Sequence, residues 1–334
     1  MSDDYSSSGG LKGLINELKN YSGITRKNPI GKFAAMIKRL EGKNIISSFG
    51  EDCAVVDLDN EYILLAADGI MESLTRKDPF WAGYCSVLAN VNDVLAMGGR
   101  PLALVDVLSY RDEEVLREIT KGINLALERF SVPLVGGHLH PESSYDSIEV
   151  AILGAVGKNS IIRSDLARSG DSILAAYDLN GSPREGFPCH WDTTLKRSNE
   201  VVRKRMRSIW ELAEKGLVSS GKDISNPGLI GTLGMLLESS GKGGVVDLES
   251  LRTPQNLSLQ HWLKVYHGFG FVFSCAEGDT PRVGEIFKKV GIEVDEIGRI
   301  DDSSTLDLCL KGERKRMFNF KKGGVTGLFS ELKS

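Results

Sequence analysis

Four aspartates lie at abrupt element boundaries in well-separated parts of the chain. Three have glycine close by: Asp52 in Gly50-Glu51-Asp52, Asp68 in Ala67-Asp68-Gly69, and Asp223 in Asp223-Ile224-Ser225-Asn226-Pro227-Gly228. The fourth, Asp93, follows Asn90-Val91-Asn92 on a stretch closed by Gly98-Gly99-Arg100-Pro101. One aspartate at a turn ordinarily caps a helix or closes an Asx-turn. Four dispersed ones suit another task. Magnesium takes oxygen ligands and binds through a few carboxylates plus substrate phosphates, so a site for a metal-bound nucleotide needs scattered aspartates, not one compact motif. Asn90 and Asp93 are spaced i, i+3 and share a helix face. Their neighbours Val91, Val94, Leu95 and Met97 are apolar, so the acid needs a partner. The expected metal ligands are Asp52, Asp68, Asp93 and Asp223, with Glu51 assisting and Asn90 orienting the cluster or touching phosphate.

Other segments add contacts. Asn226 can cap a helix with Pro227 at its first position, and the exposed amides there, near Gly228, would suit a phosphate. Gly136-Gly137-His138-Leu139-His140 ends an expected strand; a turn or a phosphate contact by His138 is preferred to a histidine metal pair. The segment from Ser182 to Thr193 mixes Arg184, His190, Trp191 and Asp192 without periodicity. It is expected to read the substrate together with Arg163; a surface excursion is the competing reading. Cys189 lies between Pro188 and His190, but a nucleophilic thiol is not adopted. No Walker A sequence occurs. Gly268-Phe269-Gly270 runs into Phe271-Val272-Phe273, a strand, so neither common nucleotide fingerprint applies. Zinc-type cysteine and histidine spacing and the Gly-x-Ser-x-Gly elbow are also absent.

These positions need a scaffold. The 334 residues suggest two domains on a prior of roughly 150 residues each. With 41% hydrophobic residues, 26% charged and a formal charge of −4, composition favours neither nucleic acid nor an anionic membrane as partner. No apolar run approaches the roughly 20 residues needed to cross a bilayer. The first ten residues are acidic and polar, unlike a signal peptide, and read as a disordered tail. Five scattered cysteines without a CxxC pair read as reduced thiols of a cytoplasmic protein.

Periodicity places helices from Leu11 to about Gly23, Pro29 to Gly42, Pro79 to Met97, Glu113 to Arg129, 199–216, 227–240, 259–266 and 280–290. Strands are expected near 53–58, 61–67, 102–108, 132–135, 148–156, 172–177, 245–248, 269–275, 294–300 and 306–310. Residues 163–171 read as an interdomain connection and 178–198 as a long loop. Alternating strands and helices indicate an α/β or α+β protein. The domains are set at 45–160 and 161–334, with 1–44 as a tail and helices.

Together these motifs resemble the superfamily of AIR synthase, thiamine-monophosphate kinase, selenophosphate synthetase and the hydrogenase-maturation dehydratase. The resemblance runs from about residue 45 to 310. It rests on Gly-Glu-Asp-Cys-Ala-Val-Val at 50–56, Ala-Asp-Gly at 67–69, Asn-x-x-Asp-x-x-Ala-Met-Gly-Gly-Arg-Pro at 90–101, Gly-Gly-His at 136–138 and Asp-Ile-Ser-Asn-Pro-Gly-Leu at 223–229. It implies a two-domain fold with a C-terminal α/β sandwich, and a homodimer whose N-terminal sheets pair into a barrel. It also implies ATP and magnesium held by aspartates at the places of Asp52, Asp68, Asp93 and Asp223, and γ-phosphoryl transfer to a small-molecule acceptor. No cysteine precedes Cys53 and the chain ends Glu331-Leu332-Lys333-Ser334, unlike the selenophosphate and hydrogenase-maturation enzymes. His138 and Asn226 depart from the kinase pattern. The overall likeness is nearest to the AIR synthase-related group, including its methanogenesis-marker branch. The leading expectation is a magnesium-dependent phosphotransferase. A synthetase that activates an amide or carbonyl oxygen, or an ATP-binding regulator, is the alternative.

Overall fold

The computed structural model describes residues 10–38, 42–47, 49–266 and 268–328. The expected tail falls, apart from Gly10, outside them. The chain opens with α1 (Gly10–Asn20), α2 (Ser22–Thr25) and α3 (Pro29–Met36). Six strands follow: β1 (Ile45–Ser47), β2 (Ala54–Leu58), β3 (Glu61–Gly69), β4 (Arg100–Ser109), β5 (Leu134–His140) and β6 (Ser147–Gly157). They form one sheet in the order β1-β2-β3-β6-β4-β5, antiparallel except for the β4–β5 pair. Three helices are interleaved with them, α4 (Glu72–Lys77), α5 (Pro79–Ala96) and α6 (Glu113–Phe130).

Helix α5 is apolar on nearly every side, and only a helix sandwiched between layers can be so. Asp78 caps it by accepting from the Trp81 amide, and Pro79 supplies the preorganised first turn. Trp81, Leu88, Val91, Val94 and Leu95 are all buried; each such side chain contributes roughly 1.5–3 kcal/mol. The helix stops where Gly98 turns left-handed at φ +74°. A side chain there would also meet the Ser160 carbonyl 2.7 Å away. That turn aims Gly99 and Arg100 into β4.

The second sheet gathers β7 (Ser172–Tyr177), β10 (Ser220–Asp223), β11 (Gly243–Asp247), β12 (Gly270–Cys275), β13 (Glu293–Asp301), β14 (Thr305–Leu310) and β15 (Glu313–Asn319). Their order is β10-β12-β7-β13-β11-β14-β15. A separate hairpin is made by β8 (Ser182–Arg184) and β9 (Phe187–Asp192). The helices are α7 (Asn199–Glu214), α8 (Gly228–Ser240), α9 (Leu259–Trp262) and α10 (Thr280–Lys288). Every residue of β7 and β12 is buried, which is why both read as unbroken apolar runs. One face of the sheet, with Leu174, Ala176, Phe271 and Phe273, joins α7, α10, α5 and α6 in a core that continues under the first sheet. The other face, with Ile173, Ala175, Tyr177 and Val272, packs on α1 and α8. Because the core is continuous, α5 packs against both β3 and β10.

Several expectations are corrected. The 178–198 segment holds a hairpin, unrecognised because Pro183 and Pro188 interrupt its alternation. Gly136, Gly137 and His138 lie inside edge strand β5. Asp223 ends a strand, β10. The second helix stops at Met36 and the 259–266 helix at Trp262; residues 39–41 of the former lie outside the described residues. The highly charged β15 was not foreseen, and it is an edge strand, where charge is expected.

Candidate functional site

Three elements from different parts of the chain deliver carboxylates to one point. The loop at Gly50, with φ +103°, turns Asp52 inward just before β2. Helix α5 presents Asp93, and β10 ends on Asp223. One oxygen from each of Asp52, Asp93 and Asp223 lies within 4.8 Å of the others. Among the described residues this is the one group of histidine, cysteine, aspartate or glutamate side chains arranged to hold a metal ion. The cluster forms part of a cleft of about 600 Å³ whose wall also includes Asp68, Lys27, Asn92, Lys222, Asn226 and Tyr266.

The electrostatics call for a cation. Burial, followed by the charges of Asp68, Asp223 and Asp52, pushes the Asp93 carboxyl far above its usual range, with Lys222 opposing. Burial and then Asp52 push Asp223 up to about 8, opposed by Lys222. Burial raises Asp68 as well; Lys27 opposes the rise and Asp52 adds to it. Lys222 Nζ donates to Asp52 Oδ1 and, at 3.2 Å, to the Gly50 carbonyl, which pairs one acid directly, while Asp68, Asp93 and Asp223 make no ion pair among the described residues. Asp52 Oδ2 is buried without a partner among the described residues. An oxygen-only donor set with excess negative charge fits magnesium.

The remaining expected residues divide. Asn226 lines the cleft, and its Oδ1 is buried without a partner among the described residues. It does not cap α8: the helix begins at Gly228, with Pro227 at the cap and no side-chain cap bond. Gly228 instead takes φ +69° and abuts the Leu263 carbonyl, where a side chain would collide at 2.2 Å. Asn90 points away from the cleft and donates to the Ser86 carbonyl at 2.8 Å. At about 100° per residue, Ala89, Asn92 and Asp93 define the cleft-facing arc, and Asn90 falls beyond its edge. Asn92 is the α5 asparagine in the wall, donating to the Gly268 carbonyl at 3.0 Å. Glu51 is occupied by the amides of Ser164 (2.9 Å) and Asp165 (3.2 Å), tying the Asp52 loop to the interdomain connection.

Gly136, Gly137 and His138 stand on β5 outside the cleft wall, with His138 opposite Val107 and its ring 4.6 Å from that of His140. Arg163 bonds Asp165. Arg184 bonds Asp78 at 2.7 Å and covers the Trp81 ring, locking the hairpin onto the start of α5. Trp191 donates to the Asp178 carbonyl, and Asp192 caps Thr194 and Leu195. His190 accepts from Trp81 Nε1 at 3.0 Å and bonds Tyr266 at 3.1 Å; burial drops its pKa to about 4. The hairpin thus reaches the cleft wall through Tyr266. Lys27, Lys222, Asn92 and Tyr266 were missed by sequence reasoning. Lys222 had one local signal, a lysine beside Asp223.

Comparison with known proteins agrees with this architecture. The family model for the AIR synthase related protein N-terminal domain matches residues 50–157, and that for its C-terminal domain matches residues 170–310. An uncharacterized protein of Methanocaldococcus jannaschii is 41% identical over 95% of this chain and 99% of its own length. One from Synechocystis is 37% identical over 95% of this chain and 98% of its own. A thiamine-monophosphate kinase of Buchnera aphidicola is 26% identical, covering 84% of this chain and 92% of its own length. Among solved structures, Thermotoga maritima PurL complexed with ADP superimposes with a TM-score of 0.76 at 18% identity, over 93% of this chain. This chain spans about half of that longer one, 51%. The thiamine-monophosphate kinase of Stenotrophomonas maltophilia gives 0.61 at 22% identity, over 82% of this chain and 93% of its own. The two family matches span most of the chain in the order of its two sheets, and this protein belongs to the AIR synthase related family.

Proposed function

We propose that this protein is a magnesium-dependent, ATP-using phosphotransferase acting on a small molecule. The observation that carries the reading is the convergence of Asp52, Asp93 and Asp223 in a cleft large enough for a nucleotide. The three would hold magnesium, with Asp68 at the same wall. The bound metal supplies neutralisation of phosphate charge, the main requirement of phosphoryl transfer besides positioning. The chain's own part is to place those carboxylates, to balance Asp52 with Lys222, and to offer the Asn92 and Asn226 side-chain oxygens, without partners among the described residues, as acceptors for ligand donors. Gly136, Gly137, His138, Arg163 and the hairpin residues stand outside the wall of this cleft. A synthetase is the second reading, because phosphoribosylformylglycinamidine synthase subunits stand beside thiamine-monophosphate kinase among the relatives.

The family likeness supports a homodimer, and so does an uncovered apolar face. Leu65, Leu153, Val105 and Val107 on adjacent strands of the first sheet are exposed, and such a face is expected to be covered by a partner. No described helix is long and apolar enough to cross a membrane. The test is ATP consumption by the pure protein with magnesium against a panel of small phosphates, carboxylates and amides. A phosphorylated product supports the kinase, and phosphate released with a cyclised product supports the synthetase. Tight ATP binding without turnover on any compound would support the regulator and defeat the enzyme reading.

A further inference from the structure

Five residues of the cleft wall lie outside both matched family domains: Lys27, Ile30 and the boundary residue Phe49 before them, Thr326 and Leu328 after them. The two segments meet. The Gly31 amide donates to the Thr326 carbonyl at 2.7 Å, and a side chain at Gly31 would fall 2.6 Å from the Gly327 backbone. Beneath them sits Glu238 of α8, 1% exposed. Its Oε2 accepts from the Val325 amide (3.0 Å), the Thr326 amide (2.8 Å) and the Thr326 hydroxyl (2.9 Å), and its Oε1 from the Gly327 amide (2.9 Å). One buried carboxylate thus curls the last described turn of chain into a nest and makes it an abutment for α3.

What this clasp presents to the cleft is Lys27, in the turn between α2 and α3. Other lysines around it are engaged: Lys222 with Asp52, Lys264 with Glu17. Lys27 takes part in none of the ion pairs or side-chain hydrogen bonds found among the described residues, although Asp68 and Asp223 share its cleft. A lysine that lines the same cleft as these carboxylates without bonding them is placed to receive an anion that those carboxylates also bind through metal. We propose that Lys27 binds a phosphate group in this cleft and that Glu238, through the Thr326–Gly31 contact, is the residue that positions it. The phosphate belongs either to the nucleotide or to the second substrate. The proposal rests on the ATP reading above and extends it.

Titration calorimetry on the full chain separates the two sources. The titrants are magnesium-ATP, magnesium-ADP, and inorganic phosphate, the last with and without saturating magnesium-ADP. Loss of a charge-assisted contact in Lys27→Gln is expected to weaken one phosphate interaction by about ten-fold or more, with Lys27→Arg retaining most of it. Weaker ATP with unchanged ADP identifies the terminal phosphate of the nucleotide. Weaker inorganic phosphate with unchanged ATP identifies the second substrate. Unchanged affinity for ATP and phosphate alike overturns the proposal. Glu238→Gln, or Thr326→Val where that variant fails to fold, is expected to show the same selective loss in weaker form. Equal loss for ADP, ATP and phosphate would assign Glu238 a merely structural role and overturn its positioning part. If the wild-type chain binds neither nucleotide, the ATP reading falls. The Lys27 claim is then decided by phosphate alone, whose binding must disappear in Lys27→Gln.

Discussion

Lys222 and Asp52 form a buried ion pair that joins the end of the second sheet to the loop feeding the first. Their side chains are only 2% and 7% exposed, so neither charge has water to fall back on. Removing one partner of such a pair costs about 3–5 kcal/mol, because the other is left buried and unbalanced. Lys222→Met should therefore lower the melting temperature markedly. Magnesium should restore more stability in the variant than in wild type, since the ion would then be the main cation near Asp52. Thermal melts with and without magnesium check this; a variant that melts like wild type contradicts the pairing.

The carboxyl cluster makes a pH prediction whose sign is the reverse of the usual acid case. Asp223 is raised to about 8 in the folded chain, by burial first and Asp52 second, against about 4 when unfolded. The folded state thus holds the extra proton between those values. Stability from this group is full below about pH 4 and is lost as pH rises towards 8, by up to about 1.4 kcal/mol per unit. Magnesium must displace that proton, so binding should release protons at pH 7 and tighten up to about pH 8. Calorimetry in buffers of different ionisation enthalpy measures the release. Zero release at pH 7 would contradict the site.

The uncovered face of the first sheet predicts self-association. Val105 lies opposite Ala151 in the register, on the strand beside Leu153, and is 44% exposed. Val105→Glu places a charge in that face, where burial without a partner is costly. Light scattering should show a dimer for wild type and a monomer for the variant, with little change in monomer stability. A monomeric wild-type protein would refute the dimer.

Legibility in the sequence followed the range of the interaction. Strong local patterns such as the apolar α5, the Gly98-Gly99 stop and the β7 run are set within a few residues, and they were readable. Three of the four dispersed aspartates, Asp52, Asp93 and Asp223, converge, and they were legible because each sits at or near the end of an element. Asn90 misled because i, i+3 spacing fixes a helix face but not which flank of that face meets the cleft; Asn92 and Ala89 decide that. His190 is held by Trp81 and Tyr266, which are remote in sequence, so its packing role left no local signal in the substrate-reading expectation. The same remoteness hid Lys27 and Lys222. Charges that act across 170 residues, as between Lys222 and Asp52, leave no periodic trace.

The most direct test of the central claim is the effect of Asp93→Asn on magnesium-ATP affinity and on stability, measured together. Asp93 is crowded by burial and by three like charges, so the neutral isostere should stabilise the metal-free fold by about 1 kcal/mol or more. It removes an anionic ligand, so magnesium-ATP affinity measured by calorimetry should fall by about ten-fold or more. A stabler protein that binds magnesium-ATP more weakly is the predicted result; unchanged affinity would contradict the assignment of Asp93 to the metal.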